Sequence, residues 1–500
     1  MHSLHLRSLK NFCDKIASFR SEHIFIIFAF ILGMLFIIIT PPAQAPDEFT
    51  HFYRAYQLTS GEIIASKRII GEKAEVVVGG NLPRSIAVLL DAVALRGTSQ
   101  HTMLLEDLIT AFKIPLEKNK KEFTYGFQNT VLYSPIPYLP AIVAIKLVKN
   151  KNWSVLAIFY FVRLCNLLSW LIITYYAIKI VPILKKTFTL IALLPMTIYQ
   201  SAAVSADPIL FASSFLLISL ILSFRFKKSH CYLSDIFLLT VVAVTVALSK
   251  NFYFPLLFLA LIVPKDRFAS KNKYFFFLFS TIIIPITLSL CWSFLVRNIY
   301  VPLNGSEPAK QLLFVINHPL KFIHIVFMTA SAYKFDHFYS FIGKLGTFNV
   351  LLPFSYYVFA LISLLLIPLI ESLRFLFSSK LAPKHFLSLK EIIYFSLLFS
   401  FMFVFIYLVI YISWTPYATW PFLHGIQGRY FIPFAFLAII SFYGIIISFK
   451  FKKSTNFSNS SLTLPLFFNC FLSSYLIVFA IVSTFVSIKS MLLHFYYGNL

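Results

Sequence analysis

The residues best suited to chemistry lie in one short stretch, Pro46–Gln57, which reads PDEFTHFYRAYQ and follows the first long apolar run. Drawn as a helix at 100° per residue, it groups Asp47, His51 and Arg54 within about 60° of one another. Its aromatic residues cluster on the opposite side, and Glu48 lies between the two faces. Carboxylates suit both general-base catalysis and binding of a divalent metal. We therefore predict Asp47 and Glu48 as catalytic residues, supported by His51 and Arg54.

Helix capping is the plainer explanation of the same two carboxylates. Asp47 would be the N-cap residue, and Glu48 would face the positive end of the helix dipole. Capping needs one side chain rather than a cluster of three, so the shared face favours chemistry. We expect this short amphipathic helix to lie on the membrane with its aromatic side towards lipid.

The remaining candidates are ionisable residues inside or at the ends of apolar runs, where such residues often mark function. Asp207, in the sequence SADP, supplies a second acidic position, so any divalent metal would be held by Asp47, Glu48 and Asp207. Guanidinium and ammonium groups suit a phosphate. The predicted phosphate or lipid-donor set is Arg163, Lys250 and Arg429, with Gln427 and Tyr430 beside Arg429 in HGIQGRYFIP. The alternatives are capping for Asp207, pairing with nearby carboxylates for Arg163, snorkelling for Lys250 and an interfacial anchor belt for Arg429.

The composition indicates an integral membrane protein. The chain is 59% hydrophobic and 12% charged, whereas soluble domains average about 45–50% and about 25%. The formal net charge of +24 comes mostly from short loops between apolar runs, as the positive-inside rule expects. We therefore predict a lipid bilayer and no nucleic acid as partner. The five cysteines have no metal-type spacing, and the motifs GxGxxG and HExxH are missing from the sequence.

The alternation of apolar and basic segments predicts an all-α protein with about 11 transmembrane helices, within a range of 10 to 13. Residues 1–22 would be a cytoplasmic N-terminus and residues 23–450 the membrane domain. A large first external loop, 40–130, would bear juxtamembrane helices and holds more than half of the 19 carboxylates. A second external loop would cover 297–347, and residues 451–500 would form a cytoplasmic loop, the last span and a tail. This register predicts that Asp47, Asp207, Lys250 and Arg429 share one external face.

Three ordered motifs, PDEFTHFYRAYQ, SADP and GIQGRYFIP, resemble those of a family of bacterial multi-pass membrane proteins catalogued as a domain of unknown function. The resemblance covers about Phe25 to Ile447. That family is in turn similar to the GT-C glycosyltransferases, which use a sugar on a polyprenyl phosphate and have acidic residues in the first external loop.

The resemblance implies a GT-C-like fold in the bacterial cytoplasmic (inner) membrane. It also implies that Asp47 activates the acceptor or holds a metal, that Glu48 assists, and that Asp207 is the second acidic position. The sequence LGTFN departs from the family pattern, because Asn349 stands where an aspartate is expected and cannot act as a base.

Three functions stay open at this point. The first is an inverting glycosyltransferase that moves a sugar from a polyprenyl-phosphate donor to an envelope glycan, lipid or protein acceptor, with no cofactor required beyond an optional divalent metal. The second is a carrier or flippase for lipid-linked glycans. The third is a non-catalytic partner in envelope polysaccharide assembly. Transport sites usually have their charges near mid-membrane, so charges at the outer surface favour the transferase.

Overall fold

The computed structural model of this chain describes residues 19–72, 75–94, 102–226, 230–377, 387–417, 422–451 and 463–497. The predicted N-terminal segment lies outside these ranges at residues 1–18, and the predicted C-terminal region lies outside them at 452–462 and 498–500. The other gaps fall within the predicted membrane domain, two of them in its first external loop. The described part is mainly helical, as the composition predicts.

The helices follow one another from the first apolar run to the last. In chain order they are α1 (Ser21–Ile39), α2 (Glu48–Thr59), α3 (Arg84–Ala94), α4 (Leu105–Phe112), α5 (Leu139–Val148), α6 (Val155–Ile180), α7 (Lys185–Ala192), α8 (Pro195–Ser201), α9 (Asp207–Phe226), α10 (Leu233–Ser249), α11 (Lys271–Leu278), α12 (Ile284–Val296), α13 (Pro308–Asn317), α14 (Pro319–Ala332), α15 (Lys334–Ile342), α16 (Phe354–Phe377), α17 (Leu389–Ser413), α18 (Ala435–Phe451) and α19 (Thr463–Leu492). Short 3-10 segments lie at Ile136–Tyr138, Asn251–Ile262, Lys265–Arg267, Arg297–Ile299 and Gly428–Phe434, and π-helical turns lie at Phe279–Ile283 and Leu493–Tyr497.

Seven segments of the described chain are long and apolar enough to cross a membrane. They are α1, α6, α9, the run Lys271–Ile299 that contains α11 and α12, the part Phe354–Arg374 of α16, α17, and the run Phe467–Tyr497 that contains most of α19. The pair α13–α14 passes the same test together but bends by 108°, which allows up to eight spans. The chain is thus a multi-pass helical protein, and the predicted number of about 11 spans is not confirmed.

Some predicted spans are short or broken for physical reasons. The apolar run 187–202, which the sequence pattern predicts as one apolar segment, is divided between two helices, α7 and α8, because Pro195 begins α8 and has no backbone N–H with which to extend α7. Helix α10 has 17 residues, and the 3-10 segment Asn251–Ile262 has 12. At a rise of 1.5 Å per residue, the 17 residues of α10 reach about 26 Å, less than the roughly 30 Å of a hydrocarbon core.

The two predicted external loops contain regular structure. Strands β1 (Ser66–Ile70), β2 (Glu75–Pro83) and β3 (Lys121–Tyr125) form an antiparallel sheet in that order, with α3 and α4 between β2 and β3 in the chain. The all-α prediction missed this sheet, because β1 is exposed along four of its five residues and has no apolar alternation to indicate a strand. The second predicted external loop, 297–347, contains α13 to α15 and strand β4 (Lys344–Leu345). Strand β4 pairs with β5 (Val350–Leu351), which lies just after this loop.

Helix α9 lies at the centre of the spans. Of its apolar window 89% is buried, whereas the other six candidate spans are 33–50% buried. It packs against α6 and α10, which shield it from lipid. Its first residue, Asp207, therefore enters the most enclosed part of the protein, where a carboxylate requires partners.

Candidate functional site

Helix α2, which carries PDEFTHFYRAYQ, is buried in protein rather than lying on the membrane surface, so that prediction was wrong. Phe52 packs against Phe159 with ring centroids 5.0 Å apart, and Tyr53 packs against Phe127 at 5.5 Å. Of the four aromatic residues on this helix, Phe49 is the exposed one. The rings contact α6 and the loop after β3, which cover the side that we expected lipid to cover.

Asp47 occupies the N-cap position of α2 but does not cap it. Its backbone is left-handed, with φ 57°, and its side chain makes no capping hydrogen bond. Positive φ is uncommon outside glycine, although aspartate tolerates it better than most residues. The carboxylate instead accepts a hydrogen bond from Asn129 Nδ2 at 3.2 Å and is 44% exposed. The simple capping explanation therefore fails, and Asp47 remains accessible.

Two buried cations share one buried carboxylate beside Asp47. Lys250 Nζ lies 2.6 Å from Asp207 Oδ1, and Arg429 Nη1 lies 3.2 Å from Asp207 Oδ2. Arg429 Nη2 also reaches Asp47 Oδ2 at 3.5 Å. The side chains of Asp207, Lys250 and Arg429 are 4–5% exposed. The structure thus brings together the four charged residues that the predicted register assigned to one face. We call Asp47, Asp207, Lys250 and Arg429 the charged cluster.

Polar and aromatic neighbours hold the Arg429 guanidinium in one orientation. Its Nε donates to Gln427 Oε1 at 2.7 Å, and its Nη1 donates to Gln200 Oε1 at 2.8 Å. The rings of Phe348 and Tyr430 lie 5.2 and 5.5 Å from its central carbon. Sequence reasoning predicted Gln427 and Tyr430 but missed Gln200 and Phe348. A polar Gln200 inside an apolar run was the signal that could have indicated the first of them.

Gly428 lets a helix approach Arg429 closely. A Cβ at this position would lie 1.8 Å from the carbonyl oxygen of His337 and 2.5 Å from the backbone nitrogen of Phe341. The Gly428 N–H donates to Ser340 Oγ at 2.7 Å. All three partners belong to α15. The glycine of QGRY therefore fixes α15 directly against the 3-10 turn that carries Arg429.

His51 lies in the same region, and its imidazole is neutral at pH 7. Its Nδ1 is 2.7 Å from the Tyr138 hydroxyl, and its ring stacks on Tyr133 with centroids 5.8 Å apart. Burial lowers the pKa of His51 to about 4, although the nearby Asp47 charge acts in the opposite direction. His51 Nε2 makes no hydrogen bond within the described part of the chain, so it is free to bind a substrate group.

Glu48 and Arg163 form a separate, fully buried ion pair. Arg163 donates from Nε and Nη2 to the two Glu48 oxygens at 2.7 and 2.6 Å. Its three other N–H groups donate to the backbone carbonyls of Ile37, Thr40 and Pro41. Arg163 has no donor left for a phosphate, so of its two predicted roles the structure has the pairing with a carboxylate and not the phosphate contact. Glu48, held by Arg163 and by the backbone N–H of Val204, is structural in this arrangement rather than part of the charged cluster.

Arg54 does not lie beside Asp47, where the helix face drawn from the sequence placed it. Its guanidinium donates to Gln57 Oε1 at 2.7 Å and to the carbonyls of Ile63 and Tyr133 at 2.9 and 3.0 Å. These bonds tie α2 to the chain on either side of the small sheet. Arg54 therefore supports the shape of the loop and does not join Asp47 in the charged cluster.

The comparison with protein families decides the identity of the chain. The family model described as "Predicted membrane protein (DUF2142)" matches residues 30–438. The chain belongs to this DUF2142 family. Neither a curated protein nor a solved structure matches it. The predicted membership of a membrane family of unknown function is thus confirmed.

The carboxylates of this DUF2142 protein do not form a common metal site. No group of three or more His, Cys, Asp or Glu residues in the described ranges could hold a metal ion. Asp207 accepts from Lys250 and Arg429, and Glu48 is enclosed by Arg163. The set Asp47, Glu48 and Asp207 named from the sequence therefore does not fit a metal.

Proposed function

We propose that this protein is a membrane glycosyltransferase that moves a sugar from a polyprenyl-phosphate donor to an acceptor hydroxyl at the external face of the bacterial cytoplasmic membrane. The observation that carries the proposal is the half-exposed Asp47 beside two buried cations that share the single carboxylate of Asp207. A carboxylate open to substrate and a cationic surface next to it are the two parts that such a transfer needs.

The cations retain donors for a phosphate. Lys250 Nζ has three N–H groups, and the only acceptor it meets within the described residues is Asp207. The contact of Arg429 Nη2 with Asp47 is long, at 3.5 Å. Rotation of Asp47 towards an acceptor would release this half of the guanidinium. Charge-assisted hydrogen bonds to phosphate are shorter and roughly twice as strong as neutral ones, so these donors favour a phosphate ligand.

The expected step is a direct displacement at the sugar carbon that bears the phosphate. The acceptor oxygen forms a bond to this carbon from the face opposite the phosphate, and the carbon–oxygen bond to the phosphate breaks. The bonding electrons leave with the lipid phosphate, whose added charge Arg429 and Lys250 stabilise. The proton of the acceptor hydroxyl passes to the Asp47 carboxylate. The configuration at this sugar carbon is inverted, and no oxidant, metal or further reactant is needed.

Two other observations support this assignment. Asp47 lies eight residues after the end of the candidate span α1, and this short distance supports a site at the level of the lipid headgroups. The acidic residue after the first span also agrees with the GT-C likeness of the sequence. An N-terminus in the cytoplasm, the GT-C-like arrangement of spans and an envelope glycan, lipid or protein as acceptor are parts of this same proposal.

The test compares Asp47→Asn with Glu122→Gln, an exposed carboxylate in the same loop that pairs only loosely with Arg84 at 3.6 Å. Each variant is expressed in a deletion strain, and the envelope glycans are analysed for the sugar that the deletion removes. We expect the Asn variant to insert normally and to restore none of the sugar, whereas the Gln variant restores all of it.

Full restoration by Asp47→Asn would overturn the assignment. Purified protein in liposomes separates the two rival functions. Movement of labelled lipid across the bilayer without a transfer product would indicate a carrier. Restoration of the sugar by a variant with Asp47, Asp207 and Arg429 all neutralised would indicate a non-catalytic assembly partner.

A further inference from the structure

An open apolar groove lies beside the charged cluster. It has a volume of about 490 Å³ and runs between α14 and α15 on one side and α16, α17 and α18 on the other. Twelve of its fourteen lining residues are apolar, among them Phe341, Phe403 and Ala438. The two polar ones are Lys334 and His337. The groove is therefore suited to a hydrocarbon chain and has one cation.

Lys334 has no acidic partner in the described part of the chain. Its ammonium lies 5.3 Å from the ring of Phe335, and the nearby Asp336 pairs with Lys344 instead. Lys334 is exposed, whereas His337 is held by the Tyr407 hydroxyl at 3.3 Å. A cation at the edge of an apolar groove is complementary to a molecule with an anionic head and an apolar chain.

The groove is continuous with the turn that carries Arg429. Phe431, two residues after Arg429, is one of its lining residues. The carbonyl of His337 packs directly on Gly428, so one helix, α15, borders both the groove and the charged cluster. A chain lying in the groove would thus have its head next to the charged cluster.

The helices outside the groove present apolar side chains. Leu313 and Ile316 of α13 are 57% and 64% exposed, and Leu320 and Phe327 of α14 are 83% and 68% exposed. Such surfaces are costly in water and stable in lipid. The bent pair α13–α14, expected from the sequence to be part of an external loop, therefore fits a position within the outer leaflet, and the groove behind it opens to the bilayer.

We infer that this groove binds the hydrocarbon chain of a polyprenyl-phosphate lipid that enters sideways from the bilayer. Lys334 contacts the phosphate first, and the phosphate then passes to Arg429 and Lys250. This inference rests on the proposed function, because it assigns the lipid part of the same donor.

The experiment uses the full-length protein in phosphatidylcholine nanodiscs with a photoactivatable polyprenyl phosphate. Ala438→Trp fills the groove, Lys334→Gln removes its cation, and Leu290→Trp adds the same ring on α12 at a side chain that is 65% exposed. We expect Ala438→Trp to reduce labelling about tenfold or more and Lys334→Gln to reduce it by roughly tenfold. Leu290→Trp should label as the unaltered protein does, and the labelled peptides should come from α15, α17 or α18.

Equal labelling of Ala438→Trp and Leu290→Trp would overturn the inference, as would equal displacement of the probe by phosphatidylglycerol or by inorganic phosphate. If Ala438→Trp lowers the melting temperature, Lys334→Gln decides alone, because an exposed lysine contributes little to folding. If Ala438→Trp is not labelled but still transfers sugar, the groove is not the lipid site, whereas the proposed function still holds. If the groove of the unaltered protein is labelled but this protein transfers no sugar, the groove is a lipid site, whereas the proposed function is wrong.

Discussion

The Glu48 carboxylate and the Arg163 guanidinium are joined by two hydrogen bonds of 2.7 and 2.6 Å, with both side chains at most 1% exposed. The same guanidinium holds three carbonyls at the end of α1. This pair connects the end of α1, the start of α2 and the first half of α6. It thereby determines where the neighbouring Asp47 stands.

Breaking this pair from one side should be strongly destabilising. Glu48→Gln and Arg163→Met each leave a buried group without its partner, which costs about 3–5 kcal/mol. The double variant Glu48→Gln with Arg163→Met should lose clearly less than the sum of the two, because neither charge is left alone. Denaturant unfolding in detergent micelles measures all three free energies. Strictly additive losses would show that the pair is not coupled.

Gly428→Ala should reduce stability or activity far more than the addition of one methyl group usually does. The new methyl group would meet backbone atoms of α15 at 1.8 and 2.5 Å, and backbone cannot rotate away. We expect a loss of about 3 kcal/mol or more in stability, or a displaced Arg429 and no activity. Gly444→Ala is the matched control, since its methyl group would meet only side-chain atoms of Ile392 and Leu387. A Gly428→Ala protein as stable and active as Gly444→Ala would contradict the packing described above.

Replacing the cations should impair turnover without unfolding the protein. Arg429→Lys keeps the charge but cannot reach Gln427, Gln200 and Asp207 together. Arg429→Lys and Lys250→Gln should each lower kcat/KM by about 10²–10³-fold, which is the loss expected when one donor to a developing oxyanion is removed. Arg84→Lys, at an exposed position, controls for the change of side chain. Unchanged kcat/KM in both cluster variants would argue against a phosphate at this site.

The buried His51 predicts a pH dependence of stability. Its pKa of about 4 in the folded protein is below the ordinary 6.5, so between these values the unfolded chain binds a proton that the folded chain does not. Stability should therefore decrease as the pH falls from 6.5 towards 4, by about 1.4 kcal/mol per unit at most and about 3 kcal/mol in total.

Unfolding free energies measured at pH 7, 6, 5 and 4 test this expectation. His51→Gln should flatten the profile in that window, whereas His424→Gln, at an exposed histidine, should leave it unchanged. A His51→Gln profile as steep as that of the unaltered protein would assign the acid sensitivity to other groups.

The sequence was most informative about the plane in which the site lies. Asp207, Lys250 and Arg429 stand at the boundaries of apolar runs, and membrane spans bring such boundaries to one of two planes. Counting the crossings was therefore enough to group these residues, although the number of about 11 spans on which the count rested is not confirmed. The membership of a membrane family of unknown function was likewise predicted from the sequence and is confirmed.

The sequence was least informative about the two adjacent carboxylates. Asp47 has a left-handed backbone, so the 100° spacing of an α-helix does not apply at that residue, and the helix face drawn from it was inaccurate. Glu48 follows it directly but faces Arg163, 115 residues further along the chain.

What the amino-acid sequence determined by itself was a multi-pass helical membrane protein with several ionisable residues at the ends of its apolar runs, because burial of apolar side chains and the cost of charge in lipid act locally along the chain. Only the tertiary structure decided that Arg163, Glu48 and Arg54 support the loop while Asp47, Asp207, Lys250 and Arg429 meet. Helical periodicity orients a side chain about its own helix axis, but the neighbour that covers it comes from packing between helices distant in the sequence.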